Sequence, residues 1–163
     1  MIKKIFALHL MLFVIFVGAF AEAWTLRSCH DGDTCSFESQ GKVKYVRFVG
    51  IDAPEIDQPF GTDARELTDS LLKGQDVTLV CTGTSYYRST CSLTVKGEDI
   101  EEEIVKRGLA MESRRYSGGK YAKSQDFAKQ NRLGMWADPN LSSPFCWRWK
   151  ENKTCKKDNL FEP

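Results

Sequence analysis

The stretch that decides the fold runs from residue 31 to residue 55 and reads DGDTCSFESQGKVKYVRFVGIDAPE. Residues 34–38 and 42–51 are rich in β-branched and aromatic side chains, which favour extended strands. The Ser39-Gln40-Gly41 tripeptide between them is typical of a turn, and Asp31-Gly32 marks another turn just before the first run. The stretch therefore predicts a turn, a strand, a second turn and a second strand.

The rest of the chain combines further strands with three helices. Predicted strands cover residues 76–80 and 91–95, separated by a loop at 82–89, and predicted helices cover residues 61–72, 98–110 and 121–133. From residue 138 onward, Pro139, Pro144 and the absence of periodicity indicate an irregular tail, held by a disulfide and by Trp147 or Trp149. This order predicts an α+β domain built on a small closed β-barrel of the OB type.

Four polar residues of the opening stretch have the chemistry of a metal-assisted phosphodiesterase. Asp33 and Asp52 offer hard oxygen donors of the kind that Ca²⁺ prefers. Arg47 presents a planar fork of donors that matches a phosphate, and Glu55 is able to take a proton from water. Each residue alone has a structural alternative, because an aspartate can bracket a turn or cap the next element and an arginine can cover apolar neighbours on a strand. Their combination favours the catalytic interpretation.

The N-terminal residues are typical of an export signal. Two lysines precede an apolar run at residues 5–20, which ends in the small-x-small site Ala21-Glu22-Ala23. The alternative is a transmembrane anchor, but the run is shorter than the ~20 residues that a span needs. We therefore expect residues 1–23 to be a secretory signal peptide, cleaved before Trp24, and the mature protein to be periplasmic or secreted.

The mature chain is predicted to be one domain with no overall charge. We expect the domain to cover residues 24–139, followed by a basic tail at 140–163. Removing two lysines and one glutamate with the signal leaves equal numbers of acidic and basic residues, starting from 22 and 23. Overall charge thus gives no sign of nucleic-acid binding, and most members of the local basic clusters are expected to be solvated. The clusters are Arg114, Arg115, Lys120, Lys123, Lys129 and Arg132, and Arg148, Lys150, Lys153, Lys156 and Lys157.

All six cysteines follow the predicted signal, and an even number in an oxidising compartment favours disulfides. A zinc site is the weaker alternative, because the chain has no CxxC pair and one of its two histidines lies in the signal. Neighbouring strands bring cross-strand Cβ atoms near bonding distance, so local pairs are expected. The predicted pairs are Cys29 with Cys35 around the 31–34 turn, Cys81 with Cys91 around the 82–89 loop, and Cys146 with Cys155 in the tail.

Six motifs in a fixed order carry a family likeness. They are DGDT at 31–34, VRFVGIDAPE at 46–55, FGTDA at 60–64, YYR at 86–88, VKRGLA at 105–110 and GMWAD at 134–138. Over roughly residues 24–139 the chain resembles the staphylococcal nuclease (thermonuclease) family. It departs from the family pattern where Thr84-Ser85-Tyr86-Tyr87-Arg88 replaces the usual Asp-x-Tyr-Gly-Arg.

The resemblance implies both a fold and an activity. The fold is a five-stranded OB-like barrel with three helices, and the activity is a Ca²⁺-dependent hydrolysis of DNA and RNA that leaves 3′-phosphate ends. Each matching position takes a role from the family. Asp33, Asp52 and the carbonyl of Ala53 are the implied Ca²⁺ ligands, Arg47 and Arg88 the phosphate-binding arginines, Glu55 the acid that activates water, and Tyr86 and Tyr116 the side chains beside the nucleotide.

Two alternative functions remain open at this point. A catalytically silent OB-type nucleic-acid-binding module would be expected to lose Arg47, Glu55 or an aspartate, whereas this chain keeps them all. An exported, disulfide-stapled domain that binds a protein partner would explain the cysteines but not the acids and arginines. We therefore expect a monomeric nuclease, with its preference between DNA and RNA and between endonucleolytic and exonucleolytic cleavage left open.

Overall fold

The computed structural model of the protein describes residues 22–150 and Cys155. The strands of this part are β1 (Ala23–Cys29), β2 (Thr34–Ser39), β3 (Lys42–Phe48), β4 (Ile51–Asp52), β5 (Val77–Ser85), β6 (Arg88–Val95), β7 (Glu98–Asp99) and β8 (Met111–Glu112). The helices are α1 (Gly61–Leu72), α2 (Ile100–Lys106), α3 (Arg114–Ser117), α4 (Ala122–Gln130) and α5 (Pro144–Arg148), with a 3-10 helix at Gly134–Ala137.

Five strands form a closed barrel. They are hydrogen-bonded in the order β3-β2-β1-β5-β6, and a parallel pairing of β3 with β6 joins the two ends, placing Val46 opposite Ser89 and Phe48 opposite Cys91. The other barrel pairings are antiparallel. β7 extends β6 at one edge, and β4 pairs with β8 in a separate two-stranded sheet. This mixed barrel with its helices confirms the predicted α+β, OB-like fold.

The barrel interior and the helices share one apolar core. Buried side chains come from alternate positions of the strands, as expected for a pleated sheet with one face turned inward. The core includes Phe37 of β2, Val46 and Phe48 of β3, Leu93 of β6, Ala64 and Leu72 of α1, and Ile104 and Val105 of α2. Full burial of one such large side chain stabilises the fold by about 1.5–3 kcal/mol. The core is therefore a main source of the stability of the barrel.

The hairpin of β5 and β6 is longer than predicted. Residues 82–89 were expected to form a loop, but β5 continues to Ser85 and β6 begins at Arg88, which leaves only Tyr86 and Tyr87 in the turn. The prediction was wrong because residues 82–85 lack apolar alternation, and the cross-strand pairing with β6 supplies their order instead. A register shift after Cys81 accommodates the bulge in β5.

The second predicted helix is shorter than expected. Residues 98 and 99 form strand β7 instead, so α2 begins at Ile100, after an Asp99 side chain that accepts a hydrogen bond from the Glu102 amide at 3.1 Å. Helices α1 and α4 lie close to their predicted bounds, at Gly61–Leu72 and Ala122–Gln130.

The tail contains a short helix where an irregular segment was expected. Pro144 occupies the first turn of α5, and the Ser143 hydroxyl accepts a hydrogen bond from the Cys146 amide at 3.2 Å. Both are helix-start features, but five helical residues are too few for periodicity to reveal. Trp147 holds the helix to the domain by donating from its indole Nε1 to Asp57 Oδ1 at 3.1 Å. Trp149 is exposed.

The cysteines form three local disulfides. Cys29 joins Cys35 across β1 and β2, and Cys81 joins Cys91 across β5 and β6. Cys146 of α5 joins Cys155. The predicted signal lies outside the described residues except for Glu22 and Ala23, and within the described part no helix is both long and apolar enough to cross a membrane.

Candidate active site

The turn between β1 and β2 is packed tightly against helix α1. A Cβ added to Gly32 would lie 2.7 Å from the Cβ of Ala64 and 2.8 Å from that of Ala53, so this position has no room for a side chain. The Thr68 hydroxyl donates to the Gly32 carbonyl at 2.7 Å, and the Asp33 amide donates to Asp31 Oδ1 at 3.0 Å. These contacts explain the DGDT motif, since they place Asp33 in one defined position.

Asp33 is the most enclosed carboxylate of the site. Its side chain is 4% exposed, and its Oδ2 accepts a hydrogen bond from the Ala53 amide at 2.6 Å. Its Oδ1 accepts from the Thr34 hydroxyl at 3.1 Å and forms an ion pair with Arg47 Nη1. Every oxygen of this buried carboxylate is thus matched with a donor, as a buried charge requires.

Arg47 bridges two carboxylates. While its Nη1 pairs with Asp33, its Nη2 donates to Asp52 Oδ1 at 2.7 Å. Burial lowers the pKa of Arg47, and the charges of Asp52 and Asp31 oppose that change. Since both ends of one guanidinium are used, the carboxylates of Asp33 and Asp52 must lie within a few ångströms of each other.

Asp31 is a buried acid that the sequence predicted only as part of a turn. Burial raises its pKa, and the positive charge of Arg47 acts in the opposite direction. The Asp-Gly pair that contains Asp31 is more often only a turn signal, so its burial beside Arg47 was not predictable.

Arg88 reaches the same site from the neighbouring strand β6. The parallel pairing of β3 with β6 places the start of β6 beside the end of β3, and Arg88 Nη1 donates to the Thr34 hydroxyl at 3.3 Å. Its Nε is buried and has no hydrogen-bond partner within the described part of the chain. Arg88 therefore holds a donor that the described part of the chain leaves unsatisfied.

The main chain holds Glu55 against the first turn of α1. The Glu55 amide donates to Gln58 Oε1 at 3.2 Å, and the Gln58 amide donates back to the Glu55 carbonyl at 2.9 Å. A Cβ at Gly61 would lie 1.8 Å from the Glu55 carbonyl oxygen, so glycine is required at this helix start. The Glu55 side chain is 27% exposed, which leaves it accessible to water.

Arg148 of helix α5 completes the cluster of charges. Its Nη1 donates to Glu55 Oε1 at 2.6 Å, and its Nη2 lies 2.9 Å from Asp52 Oδ2 and 3.1 Å from Asp52 Oδ1. Burial opposes its charge, but the hydrogen bonds and charges of Asp52 and Glu55 outweigh that effect and raise the pKa of Arg148. From the sequence, Arg148 was predicted only as a member of the basic cluster in the tail and not as part of the site.

Most of these residues open onto one cleft of about 670 Å³, whereas Asp52 lies behind Arg47 and Arg148 and is not among its lining residues. Arg47, Arg88, Glu55 and Arg148 all line it. The other lining residues are Ser28, Cys29, His30, Asp31, Asp33, Thr34, Cys35, Ser36, Tyr45 and Tyr87. The cleft thus contains three arginines and three acids, a composition suited to an anionic ligand bound through a cation and arginine donors.

The two tyrosines assigned by resemblance lie outside that cleft. Tyr86 is 93% exposed and is not among the lining residues, whereas its neighbour Tyr87 is. Tyr116 lines a second cavity of about 470 Å³, to which Arg47 also contributes. The ring of Tyr87 meets that of Tyr45 edge-on, with their centroids 6.0 Å apart.

Asp33 and Asp52 fit a weakly held divalent cation. Their carboxylates converge on Arg47, and carboxylate oxygens are hard donors suited to Ca²⁺. Within the described residues, no group of three or more His, Cys, Asp or Glu side chains is arranged to hold a metal ion. A cation here would therefore rely on two carboxylates, on main-chain oxygen such as the implied Ala53 carbonyl, and on water.

Comparison with known proteins places the chain in a family. A family model described as "Staphylococcal nuclease homologue" matches residues 45–138. An uncharacterized endonuclease of Haemophilus influenzae is 32% identical over 147 residues, which cover 87% of this chain and 83% of that protein. A micrococcal nuclease of Shigella flexneri is 30% identical over 72% of this chain and 75% of its own length. A staphylococcal-like nuclease of Arabidopsis thaliana is 33% identical over 66% of this chain but only 33% of its own length.

The matched residues include most of the site. Arg47, Asp52, Glu55 and Arg88 lie inside the 45–138 segment, whereas Asp33 precedes it and Arg148 follows it. The closed mixed barrel agrees with the fold that the resemblance implies. The chain therefore belongs to the staphylococcal nuclease family and is a nuclease of the phosphodiester hydrolase class.

Proposed function

We propose that the protein is a Ca²⁺-dependent nuclease that cleaves DNA or RNA on the 5′-oxygen side of the phosphate and leaves 3′-phosphate ends. One observation carries the proposal: Arg47 bridges Asp33 and Asp52 beside a cleft that Glu55 and Arg88 also line. A phosphodiester is an anion that repels nucleophiles, so its hydrolysis needs positive charge at the phosphate and an activated water. The cleft contains groups for both tasks.

Asp33, Asp52 and the Ala53 carbonyl would hold the cation. When bound, Ca²⁺ neutralises charge on the phosphate oxygens and orients water near the phosphorus. Asp33 is already fixed by the Ala53 amide and by Thr34, so its carboxylate is preorganised for this role. A ligand that is already fixed loses little conformational freedom when the cation binds. This raises the affinity of a site in which water must supply most of the other ligands.

The two arginines would bind the phosphate. Arg47 is committed to its carboxylate partners in the protein alone, whereas the buried Nε of Arg88 has no partner within the described residues. A phosphate oxygen at Arg88 would satisfy that donor. Charge on the phosphate oxygens increases as the nucleophile attacks, so donors fixed here stabilise the transition state more than the substrate.

Glu55 would accept the proton of the attacking water. The water oxygen forms a bond to phosphorus, its proton passes to the Glu55 carboxylate, and the bond from phosphorus to the 5′-oxygen breaks. The 5′-oxygen then takes up a proton, and the phosphate remains on the 3′-oxygen of the preceding nucleotide. The accessible side chain of Glu55 is consistent with this role.

We also propose that the protein acts outside the cytosol, in the periplasm or after secretion, and as a monomer. The three disulfides support export, because such bonds persist in oxidising compartments.

The function is tested by incubating the mature protein with plasmid DNA and with an RNA oligonucleotide, in Ca²⁺ or in a chelator. We expect cleavage only with Ca²⁺, and products whose 3′ ends carry phosphate by mass spectrometry. Glu55→Gln keeps the size and one acceptor of the side chain but removes the base, so we expect this variant to lose cleavage. Cleavage that persists at full rate in Glu55→Gln, or products with 5′-phosphate, would contradict the proposal.

A further inference from the structure

Arg148 contacts two of the three carboxylates that the proposed chemistry needs, those of Asp52 and Glu55. One guanidinium nitrogen contacts Glu55 at 2.6 Å, and the other contacts both oxygens of Asp52, at 2.9 Å and 3.1 Å. A guanidinium that bridges two acids in this way makes charge-assisted hydrogen bonds, which are stronger than neutral ones. The residue that makes them lies 93 positions away from Glu55 in the chain.

Helix α5 is docked so that Arg148 reaches this position. Gln58 Nε2 donates to the Ser142 carbonyl at 2.8 Å, just before the helix, and Trp147 donates to Asp57 at 3.1 Å. Both partners belong to the short segment that follows Glu55. The tail is therefore attached to the segment that directly follows Glu55, and these contacts bring Arg148 to the Glu55 carboxylate.

We infer that Arg148 is an internal cation that competes with the divalent ion for Asp52 and restrains Glu55, and so sets the affinity of the site for Ca²⁺. The inference rests on the proposed function in one respect, the use of Asp52 as a cation ligand. It makes Arg148 a positioning residue, acting through the carboxylates and not on the phosphate.

Of the two arginines on Asp52, Arg148 is the one able to leave. The side chain of Arg47 is 20% exposed and also serves Asp33, whereas that of Arg148 is 32% exposed and lies at the end of a five-residue helix. Moving Arg148 into solvent restores its hydration, while moving Arg47 would leave the enclosed Asp33 without its counter-charge. A divalent ion at Asp52 would also repel the Arg148 guanidinium.

Release of Arg148 would at the same moment free Glu55. The same guanidinium contacts both acids, so a cation that displaces it from Asp52 also removes the donor from Glu55 Oε1. Glu55 Oε1 would then be open to a hydrogen bond from water, which Arg148 Nη1 occupies in the protein alone. Cation binding and activation of the base would thus be coupled through one side chain.

The test is a calorimetric titration of the mature protein with Ca²⁺, without nucleic acid. Arg148→Gln keeps the length of the side chain and removes its charge, and we expect it to bind Ca²⁺ about tenfold more tightly than the wild type, since hydrogen bonds to charged groups contribute that much. The Ca²⁺ affinity of Arg148→Lys should lie between that of the wild type and that of Arg148→Gln. Lys150→Gln is the matched control: it removes a nearby charge whose described contact is the face of Trp147, at 4.3 Å, and should leave the affinity unchanged.

A second readout separates this role from a purely structural one. In chelator, Arg148→Gln should unfold at a lower temperature than the wild type, because Glu55 loses its arginine partner and Asp52 loses one of its two. Added Ca²⁺ should then raise its Tm by more than it raises that of the wild type. A merely structural arginine would lower the Tm and leave the Ca²⁺-dependent rise unchanged.

The outcomes are distinguishable from failure of the proposed function. If the wild type binds Ca²⁺ and Arg148→Gln binds it equally or more weakly, the role of Arg148 is refuted and the nuclease proposal stands. If neither protein binds Ca²⁺ and cleavage needs no cation, the cation site itself is refuted, and this inference with it. A raised KM for oligonucleotide in Arg148→Gln, with unchanged Ca²⁺ affinity, would instead make Arg148 a phosphate contact.

Discussion

The amide of Ala53 donates to the Asp33 carboxylate at 2.6 Å, which ties the turn after β1 to the end of β4, 20 residues later in the chain. The DGDT and IDAPE motifs are therefore two halves of one structure. Asp33 has a double task in it, because the same carboxylate closes this hydrogen bond and serves as a proposed cation ligand.

The double task predicts different effects for two substitutions at this position. Asp33→Asn keeps an oxygen for the Ala53 amide but removes the charge that pairs with Arg47, so we expect near-complete loss of cleavage and a loss of stability from the broken ion pair. Asp33→Ala leaves a buried amide unpaired and should cost about 1–3 kcal/mol more in the free energy of unfolding. Urea denaturation measures the stability of the two variants, and a cleavage assay at saturating Ca²⁺ measures their activity. Equal stability of the two variants would show that the Ala53 contact contributes nothing.

The two donors of the Arg88 guanidinium are expected to contribute more to catalysis than its charge alone. Its Nη1 contacts Thr34 at 3.3 Å while its Nε is buried without a partner in the described chain, so lysine could reproduce the charge but not both donors. We predict that Arg88→Lys lowers kcat by roughly a hundredfold, with a much smaller change in KM.

Single-turnover cleavage of a short oligonucleotide at saturating Ca²⁺ is the measurement. Lys123→Gln is the control, since this lysine lies on the surface of α4 and should affect substrate affinity at most. Cleavage by Arg88→Lys at near wild-type rate would mean that the substituted 84–87 segment has moved this arginine away from the phosphate.

The hairpin turn predicts unequal roles for its two tyrosines. Both rings are largely exposed, but Tyr87 lines the cleft and contacts Tyr45, whereas Tyr86 lines no part of the cleft and has a left-handed φ of 56°. Stacking of a base on an aromatic ring contributes about 1–3 kcal/mol, so Tyr87→Ala should raise KM for an oligonucleotide by roughly tenfold or more. Tyr86→Ala should change it little. A larger effect at Tyr86 would favour the role that the family resemblance gives it.

The parts of the site that lie on regular strands could be predicted from the sequence. Arg47 lies on β3 within the predicted strand at 42–51, and Asp52 lies on the short strand β4 at the end of that stretch, so the β-branched pattern located both. The resemblance supplied Arg88, and barrel closure by β3 and β6 is the reason that it reaches Arg47.

Arg148 could not be predicted in the same way. Its position depends on contacts between residues far apart in the chain, Trp147 with Asp57 and Gln58 with Ser142, and a five-residue helix has no periodicity to announce it. The hairpin at 82–89 shows the same limit, because small polar residues such as Thr84 become a strand only through their partners in β6.

A buried acid away from the cleft should make the stability of the fold depend on pH. Glu101 of α2 is fully buried, accepts the Gly50 amide and the Tyr121 hydroxyl, each at 2.9 Å, and has its pKa raised by burial. The folded protein therefore keeps a proton on Glu101 over a pH range in which the unfolded chain has already lost it. The contribution of Glu101 to stability is greatest below its ordinary pKa and declines as the pH rises through the raised value.

Glu101→Gln removes this titration while keeping an oxygen for the Gly50 amide. The free energy of unfolding of the variant minus that of the wild type should thus rise with pH. Asp99 and Lys120 also face this cluster, so the difference between the two proteins is the quantity to follow in urea titrations at several pH values. The adjacent Glu102→Gln, at an exposed position, is the control and should not show the same rise. A difference between Glu101→Gln and wild type that is constant from acid to neutral pH would show that Glu101 titrates alike in the folded and unfolded chains, in spite of its burial.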